Sequence, residues 1–306
     1  MDTDIISMDT ANYEALAEAM GIPQEAATPT SRSDAICRLR IWHRSVMGAV
    51  ETGGKTRQME VVPGGTYRFD DGSGEFKYCE EINFRPFLQR YRYNRWMPYA
   101  APDSYGRKGK YIKSVFTHDY KVFNNTDIID ETGGFNCGRP SGYIKDWKDV
   151  PEKTRKLISA VKRVRAIFGT VSFTSYLTET GEVVETEGEA IPIIWEIENN
   201  DAFKIMGNAL AKYRETGRLF PQHDISLTTD GSPMTNGNML YQPVPVVNIT
   251  KEIKLEQPKD SETLIYFQNW VNGYNKFIKE SYDQKASLPP FAAEEAKVVD
   301  SFIDVE

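Results

Sequence analysis

The sequence has few cysteines and no long hydrophobic run. Its 306 residues include three cysteines, Cys37, Cys79 and Cys137, which lie far apart. This odd, scattered set excludes a disulfide scaffold, and a zinc site normally needs a close pair of ligands, so we predict neither a metal nor another cofactor. The acidic N-terminus lacks an apolar segment of signal length, and no stretch approaches the roughly 20 apolar residues of a membrane span. We therefore predict a protein of a reducing cytoplasm with no membrane partner.

The sequence also lacks the motifs of common enzymes. The segment TGGKT at 52–56 resembles part of a phosphate-binding loop, but Ala49 occupies the position of the first glycine, so we predict an exposed hairpin turn. The pairs His118-Asp119 and His223-Asp224 lack the additional ligands that a metal phosphohydrolase needs. No nucleophile triad, carboxylate pair or dinucleotide-binding pattern is found. We predict that the protein is not an enzyme.

Charge is distributed unevenly along the chain. The formal net charge is -7, which excludes binding to a polyanion through bulk charge. Residues 84–123 contain nine lysines and arginines against two aspartates, and residues 145–165 contain eight against three acids. The two segments therefore carry +7 and +5, and the remaining residues carry -19. Such segregation favours a local site for a polyanion, because charges that serve only solubility are normally interspersed.

Alternating hydrophobicity predicts a strand-rich α+β fold in one core domain, residues 35–288, after an N-terminal helix and linker at 1–34. The predicted strands are CRLRIWHRSV, MEVVPGGTYRF, EINFRPFLQRYRYNRW, YIKSVFTHDYKVF, RAIFGTVSF, IPIIWEI, HDISLTT and NMLYQPVPVVNI. Helical periodicity and capping residues predict helices at VPEKTRKLISAVKRVR, NDAFKIMGNALAKYRETG and SETLIYFQNWVNGYNKFIKESYD. The acidic segment TETGEVVETEGEA is expected to be an exposed hairpin or loop.

The stretch FRPFLQRYRYNRWMPY, residues 84–99, combines six aromatic residues with four arginines and no acid. Single-stranded nucleic acid offers phosphates to lysine and arginine, and unpaired base faces to aromatic rings. The alternative is that the rings are core and the arginines are solvated. We predict that this stretch and two further basic segments bind single-stranded DNA through Arg85, Arg90, Tyr91, Arg92, Tyr93, Arg95, Trp96, Arg107, Lys108, Lys110, Tyr111, Lys113, Lys162, Arg163 and Arg165.

The C-terminal residues 289–306 are predicted to form a flexible acidic tail. From residue 291 onward this segment holds five acids and one lysine, with apolar residues between them. Such a tail can compete with DNA for a basic groove and can recruit replication proteins. Phe302 and Ile303 are the predicted partner-binding residues, and an ordinary disordered terminus is the alternative.

Four segments in order, RKLISAVKRVRAIFGTVSF, IPIIWEIENNDAFKIMGNAL, GNMLYQPVPVV and YFQNWVNGYNKFI, resemble bacteriophage-type single-stranded DNA-binding proteins of replication and recombination modules. The resemblance covers about residues 35–280. It implies an OB-like barrel or sheet core with long insertions and peripheral helices, in the cytoplasm of an infected bacterial host. Members of that family often hold zinc in a tight Cys/His cluster; this chain lacks one, so zinc is not carried over.

Three alternative functions remain open from the sequence. A virion structural protein would form oligomers without DNA, whereas a recombination annealing protein would form rings and anneal complementary strands. A metal-dependent nuclease is disfavoured because no carboxylate cluster is found. For the single-strand binder, self-association on DNA is a further expectation.

Overall fold

The computed structural model describes residues 36–70, 72–97, 110–142 and 144–286. Within these ranges the fold is mixed α+β and rich in strand, as predicted. The predicted N-terminal helix and linker, the acidic tail, and the site residues Arg107, Lys108, Phe302 and Ile303 lie outside the described residues.

The described residues contain thirteen strands and four α-helices. The strands are β1 (Cys37–Trp42), β2 (Val46–Thr52), β3 (Lys55–Val62), β4 (Thr66–Asp70), β5 (Phe76–Cys79), β6 (Ile82–Met97), β7 (Lys110–Lys113), β8 (Val161–Ser172), β9 (Ser175–Leu177), β10 (Val183–Glu185), β11 (Ile191–Ile197), β12 (Ile225–Pro233) and β13 (Met239–Val247). The helices are α1 (Val122–Asn125), α2 (Glu152–Ala160), α3 (Asn200–Arg214) and α4 (Lys259–Ala286).

Eleven strands form one sheet in the order β10-β9-β5-β4-β1-β11-β8-β6-β12-β13, with β7 paired to the end of β6. The sheet is open within the described residues, because its two edge strands, β10 and β13, do not pair with each other. Of the OB-like barrel or sheet core that the family resemblance implies, the sheet is seen and the barrel is not confirmed. Strands β2 and β3 form a separate hairpin, and Gly53 and Gly54 make its turn with positive φ angles. This confirms the hairpin predicted at TGGKT.

Strand β1 lies parallel to β11, whereas its pairing with β4 is antiparallel. The β1–β11 register places Arg38 beside Ile194 and Leu39 beside Trp195. The carboxyl ends of β1 and β11 therefore face the same way, and residues just beyond Trp195 approach the end of β1. This shared end is one wall of the cavity described below.

The longest strand pairing joins β6 and β8 at the centre of the sheet. Proline is unfavourable in a central strand because it cannot donate to the ladder, and here Pro86 lies where the register shifts, between Pro86 and Leu88. Gly169 lies opposite Pro86, and a Cβ at Gly169 would come within 2.4 Å of the Arg85 carbonyl oxygen. A glycine at 169 is thus required for the close approach of these two strands.

Both faces of the sheet are covered. On one face, the α3 residues Phe203, Met206 and Leu210 pack with strand residues such as Tyr91 and Tyr93. On the other face, the α4 residues pack against Leu88, Phe116 and Phe168; they are Leu264, Phe267 and Val271. The middle of β6 is therefore buried on both sides, and this decides the fate of several predicted site residues.

Several predicted elements differ from the structure. The segments CRLRIWHRSV and MEVVPGGTYRF, each predicted as one strand, are divided between β1 and β2 and between β3 and β4. The helix predicted at VPEKTRKLISAVKRVR ends at Ala160, and Val161 and Val164, assigned to its apolar stripe, lie instead on β8. Their β-branched side chains suit a strand, and they pair across to β6. The strand predicted at YIKSVFTHDYKVF continues only to Lys113 as β7, and its end forms the short helix α1.

The outer side of the edge strand β13 lacks a regular row of free backbone N–H groups. The backbone N–H of Tyr241 points away from β12, because it donates to Nδ1 of His43 at 3.1 Å. Backbone groups alternate along a strand with a period of two, so positions 243 and 245 face the same way. Pro243 and Pro245 occupy these positions and have no N–H to offer.

Candidate nucleic-acid interface

Tyr91 and Tyr93 are core residues. Their exposed fractions are 3% and 0%, and both rings contact Phe123. The Tyr93 hydroxyl donates to the Phe123 carbonyl oxygen, and burial raises the pKa of Tyr93 to about 12. The prediction that these two rings offer open faces to bases is wrong, because α3 and the segment around α1 cover this side of β6.

Arg90 and Arg92 are buried on the opposite face of β6. Arg92 is 1% exposed, forms an ion pair with Glu196, and lies over the ring of Phe116 at 4.8 Å. Arg90 is 6% exposed and donates to the Gln89 carbonyl oxygen. Neither guanidinium presents an open face to a phosphate, so their predicted role as surface contacts is also wrong.

Two further predicted arginines join structural elements. Arg85 pairs with Asp260 through two 2.8 Å hydrogen bonds and so joins β6 to the start of α4. Arg165 is 8% exposed; it donates to the Gln89 side chain at 2.7 Å and to the Phe203 carbonyl oxygen at 3.1 Å. Arginines whose donors are held by the fold in this way stabilise it and are not available to DNA.

Arg95 and Arg163 have intermediate positions near the end of β6. Each is half-buried. Arg163 donates to the hydroxyl of Tyr120 at 2.9 Å, and its guanidinium lies over that ring. Arg95 lies against Gly138, where a Cβ would come within 2.8 Å of its Nη1. They share the α3 side of the sheet with Tyr93 and do not line the cavity described below.

The end of β6 differs from its middle, because two predicted rings are exposed there. Trp96 is 44% exposed and Tyr111 is 43% exposed. The two residues are paired across β6 and β7, with ring centroids 4.9 Å apart and edge-to-face geometry. Two predicted lysines, Lys110 on β7 and Lys162 on β8, are exposed at the same end of the sheet.

A cavity of about 290 Å³ lies next to this ring pair, at the carboxyl ends of β1 and β11. Its walls come from β1, β6, β7, β11, β13 and the start of α3. Tyr111 belongs both to its lining and to the exposed ring pair, so the rings and the cavity form one continuous surface. Its charged lining residues are four cations and two acids: Arg38, Arg40, Arg92, Lys113, Glu196 and Glu198.

The cations of the cavity converge on one carboxylate. Burial alone would raise the pKa of Glu196, but Arg92, Lys113, Arg38 and Arg40 hold it below the usual range of a carboxyl group. Burial lowers the pKa of Lys113, and the positive charge of Arg92 lowers it further. Glu196 pairs directly with Arg92 and with Arg38. With Glu198 it gives two carboxylates against four cations, so the lining keeps a formal charge of +2, which favours anions.

Sequence reasoning missed several of these residues. Arg38 and Arg40 alternate with Cys37 and Leu39 in CRLRIW, and this period of two is the signal that both face one side of the strand. Glu196 is a lone charge in the otherwise apolar strand IPIIWEI, which marks a buried group that needs a charged partner. The amides Asn94 and Gln242 carry no comparable signal.

The cysteines and the helices are the parts of the structure that bear on metal and membrane binding. Cys37, Cys79 and Cys137 are all buried thiols, and burial raises the pKa of Cys79 to about 12. Within the described ranges, no three His, Cys, Asp or Glu side chains are grouped in a way that could hold a metal ion. In the same part of the chain, none of the helices is both long and apolar enough to cross a membrane.

No family model, curated protein or solved structure matches this chain. The resemblance to bacteriophage-type single-stranded DNA-binding proteins therefore stays a prediction from the order and character of sequence segments. The cavity and the two exposed rings are the features of the molecule that indicate a function.

Proposed function

We propose that the protein binds single-stranded DNA without cleaving it, along the surface formed by the cation-lined cavity and the Trp96–Tyr111 pair. We call this surface the groove. The observation that carries the proposal is the pair of exposed rings directly beside four convergent cations. An unpaired strand requires this combination, because its bases stack on rings while its phosphates need positive charge.

Phosphate contacts are expected from the exposed cations. Arg40 and Lys110 are exposed, and Arg38 retains 37% of its side-chain surface. Arg92 is buried and acts indirectly, since its ion pair fixes the Glu196 carboxylate at the base of the groove. This assignment replaces the alternating tyrosines and arginines of β6 with a smaller set at its end.

The rings supply the second part of the proposal. Exposing a tryptophan and a tyrosine to water leaves apolar area uncovered, and stacked bases would cover it. Trp96 and Tyr111 meet edge to face, so each leaves part of its ring open to a ligand. An inserted base could therefore contact either ring without entering the core.

The test is a titration of the full chain with fluorescent oligo-dT at several salt concentrations. If about four phosphates are held, log affinity should fall with log salt at a slope of roughly -3, from about -0.7 per phosphate. Replacement of Trp96 by alanine should weaken binding by about 1–3 kcal/mol. The same titration with duplex DNA should show weaker binding, because paired bases offer no free faces.

Phe135→Ala is the matched control. Phe135 is 43% exposed and pairs with Tyr282 at 5.6 Å, but it does not line the cavity. The Phe135 variant should therefore bind oligo-dT as the unaltered chain does. An affinity independent of salt, or equal losses in the Trp96 and Phe135 variants, would contradict the proposal.

The alternatives give different results in the same assays. A virion structural protein would assemble without DNA and would not respond to loss of Trp96. An annealing protein would accelerate pairing of complementary strands, and sizing with and without oligo-dT would reveal rings. Recruitment of replication proteins through Phe302 and Ile303 stays a separate proposal, since those residues lie outside the described ranges.

A further inference from the structure

Two amide side chains of the cavity have oxygens without a hydrogen-bond donor. Asn94, on β6, and Gln242, on β13, both line the cavity. The Oδ1 of Asn94 and the Oε1 of Gln242 are buried and have no partner among the described residues. Buried acceptors are nearly always paired in folded proteins, so two unpaired ones in one small cavity require an explanation.

The orientation of the Asn94 amide is determined by its neighbour. Its Nδ2 lies 2.6 Å from Oε1 of Glu198. A carboxylate oxygen only accepts, so the atom facing Glu198 must be the amide nitrogen, and the other atom is an acceptor. Asn94 is 3% exposed, so its side chain is not open to bulk solvent.

The orientation of the Gln242 amide follows in the same way. Its Nε2 lies 3.3 Å from Oδ1 of Asn199. That oxygen already accepts from the backbone N–H groups of Asp201 and Ala202, where Asn199 caps the start of α3. The Asn199 atom is therefore an oxygen, and the unpaired atom of Gln242 is a second acceptor.

The charge and size of the cavity narrow the choice of ligand. Four cations against two carboxylates favour an anion. The volume of about 290 Å³ is at the lower end of small-molecule sites, roughly 300–1,000 Å³, and admits one small organic group. Two acceptors require a ligand with two N–H bonds, and the exocyclic amine of cytosine or adenine has both.

We propose that the cavity is a pocket for one nucleotide whose base carries an exocyclic amine. The amine donates to Asn94 and Gln242, whose side chains turn toward it as it enters, and the phosphate faces Arg40 and Lys113. This inference rests on the proposed binding of single strands, and it adds a preference for base identity. A uracil in the same pocket would place a carbonyl oxygen against the two amide oxygens, which is unfavourable.

The experiment compares oligo-dC with oligo-dU of equal length, because these bases differ at the amine position and neither carries a methyl group. The full chain should bind oligo-dC about fivefold more tightly or better, the value of roughly one hydrogen bond. Gln242→Met should remove most of this preference, because it weakens oligo-dC binding and relieves the repulsion of oligo-dU. A melting temperature close to that of the unaltered chain shows that the variant is folded.

Gln58→Met is the matched control, since it makes the same chemical change at an exposed position on β3 outside the cavity. It should retain the preference for oligo-dC. Deoxycytidine monophosphate is added as a competitor to identify the source of the nucleotide. If it displaces oligo-dC, the pocket accepts free nucleotides; if the preference persists without displacement, the pocket reads bases within a strand.

Three results would overturn the inference, and they separate failure of the pocket from failure of the proposed function. Equal, salt-dependent affinity for both oligomers, or a preference that persists in the Gln242 variant, would exclude the pocket and leave single-strand binding intact. If neither oligomer binds, the proposed function and the pocket are both wrong.

Discussion

Strand β6 carries Arg92 and Tyr93 in its middle and Arg95 and Trp96 three residues later, and the environments differ. The middle pair is at most 1% exposed and lies between α3 and α4, whereas Trp96 is 44% exposed. Composition is therefore a poor guide to function within a single strand. The role of a residue depends on whether helices cover the sheet at that point, because a covered ring contributes stability and an uncovered one is available to a ligand.

The largest expected effect is on the covered part of β6. Tyr93→Ala should lower the free energy of unfolding by about 3–5 kcal/mol, because it removes a fully buried ring and its hydrogen bond to Phe123. Trp96→Ala should change it by less than about 0.5 kcal/mol. Urea unfolding of both variants measures the contrast, and equal losses would remove the distinction between the two parts of the strand.

Loss of the buried ion pair beneath the groove should give the second-largest effect on stability. Glu196→Gln leaves Arg92 buried without its counter-charge, which costs about 3 kcal/mol of unfolding free energy. A double variant, Arg92→Met with Glu196→Gln, should recover much of that loss. If the single variant is as stable as the unaltered chain, Arg92 has another source of compensation in the fold.

Tyr111→Ala tests the exposed ring pair at the end of β6, because Tyr111 lies on the neighbouring strand β7. We expect a loss of about 1–3 kcal/mol in oligo-dT binding, since Tyr111 is exposed and lies against Trp96. The melting temperature should change little. A variant that melts much earlier and binds normally would place Tyr111 in the core.

Arg40→Ala should have a smaller effect on affinity but a diagnostic effect on its salt dependence. Removal of one phosphate contact should make the slope of log affinity against log salt shallower by about 0.7. Lys55→Ala, an exposed cation in the turn region of the β2–β3 hairpin, is the control and should leave the slope unchanged. Equal changes would show that the charge effect is not local.

The smallest expected effect is a pH dependence of the covered region. Burial and Arg218 lower the pKa of His223, which stacks on Tyr213 at 4.0 Å. Because the folded pKa is below the unfolded value of about 6.5, the unfolded chain binds more protons as the pH falls through this range. Stability should therefore decrease from pH 7.5 to 5.5, and His223→Gln should flatten that decrease in thermal melts.

The sequence predicted the longer central strands and only part of the groove. Alternation located β6, β11, β12 and β13, and capping residues located α3, because both signals are local. The boundary between α2 and β8 was wrong, since the pairing of Val161 and Val164 with β6 is a tertiary effect.

The groove itself could be predicted only in part. Trp96, Tyr111 and Lys113 were among the predicted residues, but Arg38 and Arg40 were not. They join the groove because β1 inserts parallel to β11, and no local pattern reveals that pairing. Burial of Tyr91 and Tyr93 likewise depends on α3, more than a hundred residues later in the chain.

The outer side of β13 limits how copies of this protein could assemble. Strand addition at a sheet edge requires a row of free backbone donors and acceptors. At β13 the row is interrupted, since Tyr241 donates to His43 while Pro243 and Pro245 have no N–H. A second copy therefore cannot extend the sheet through these positions. An array that used the β13 edge would have to form through side-chain contacts or through the DNA itself, so subunits joined there could separate without unzipping a shared sheet.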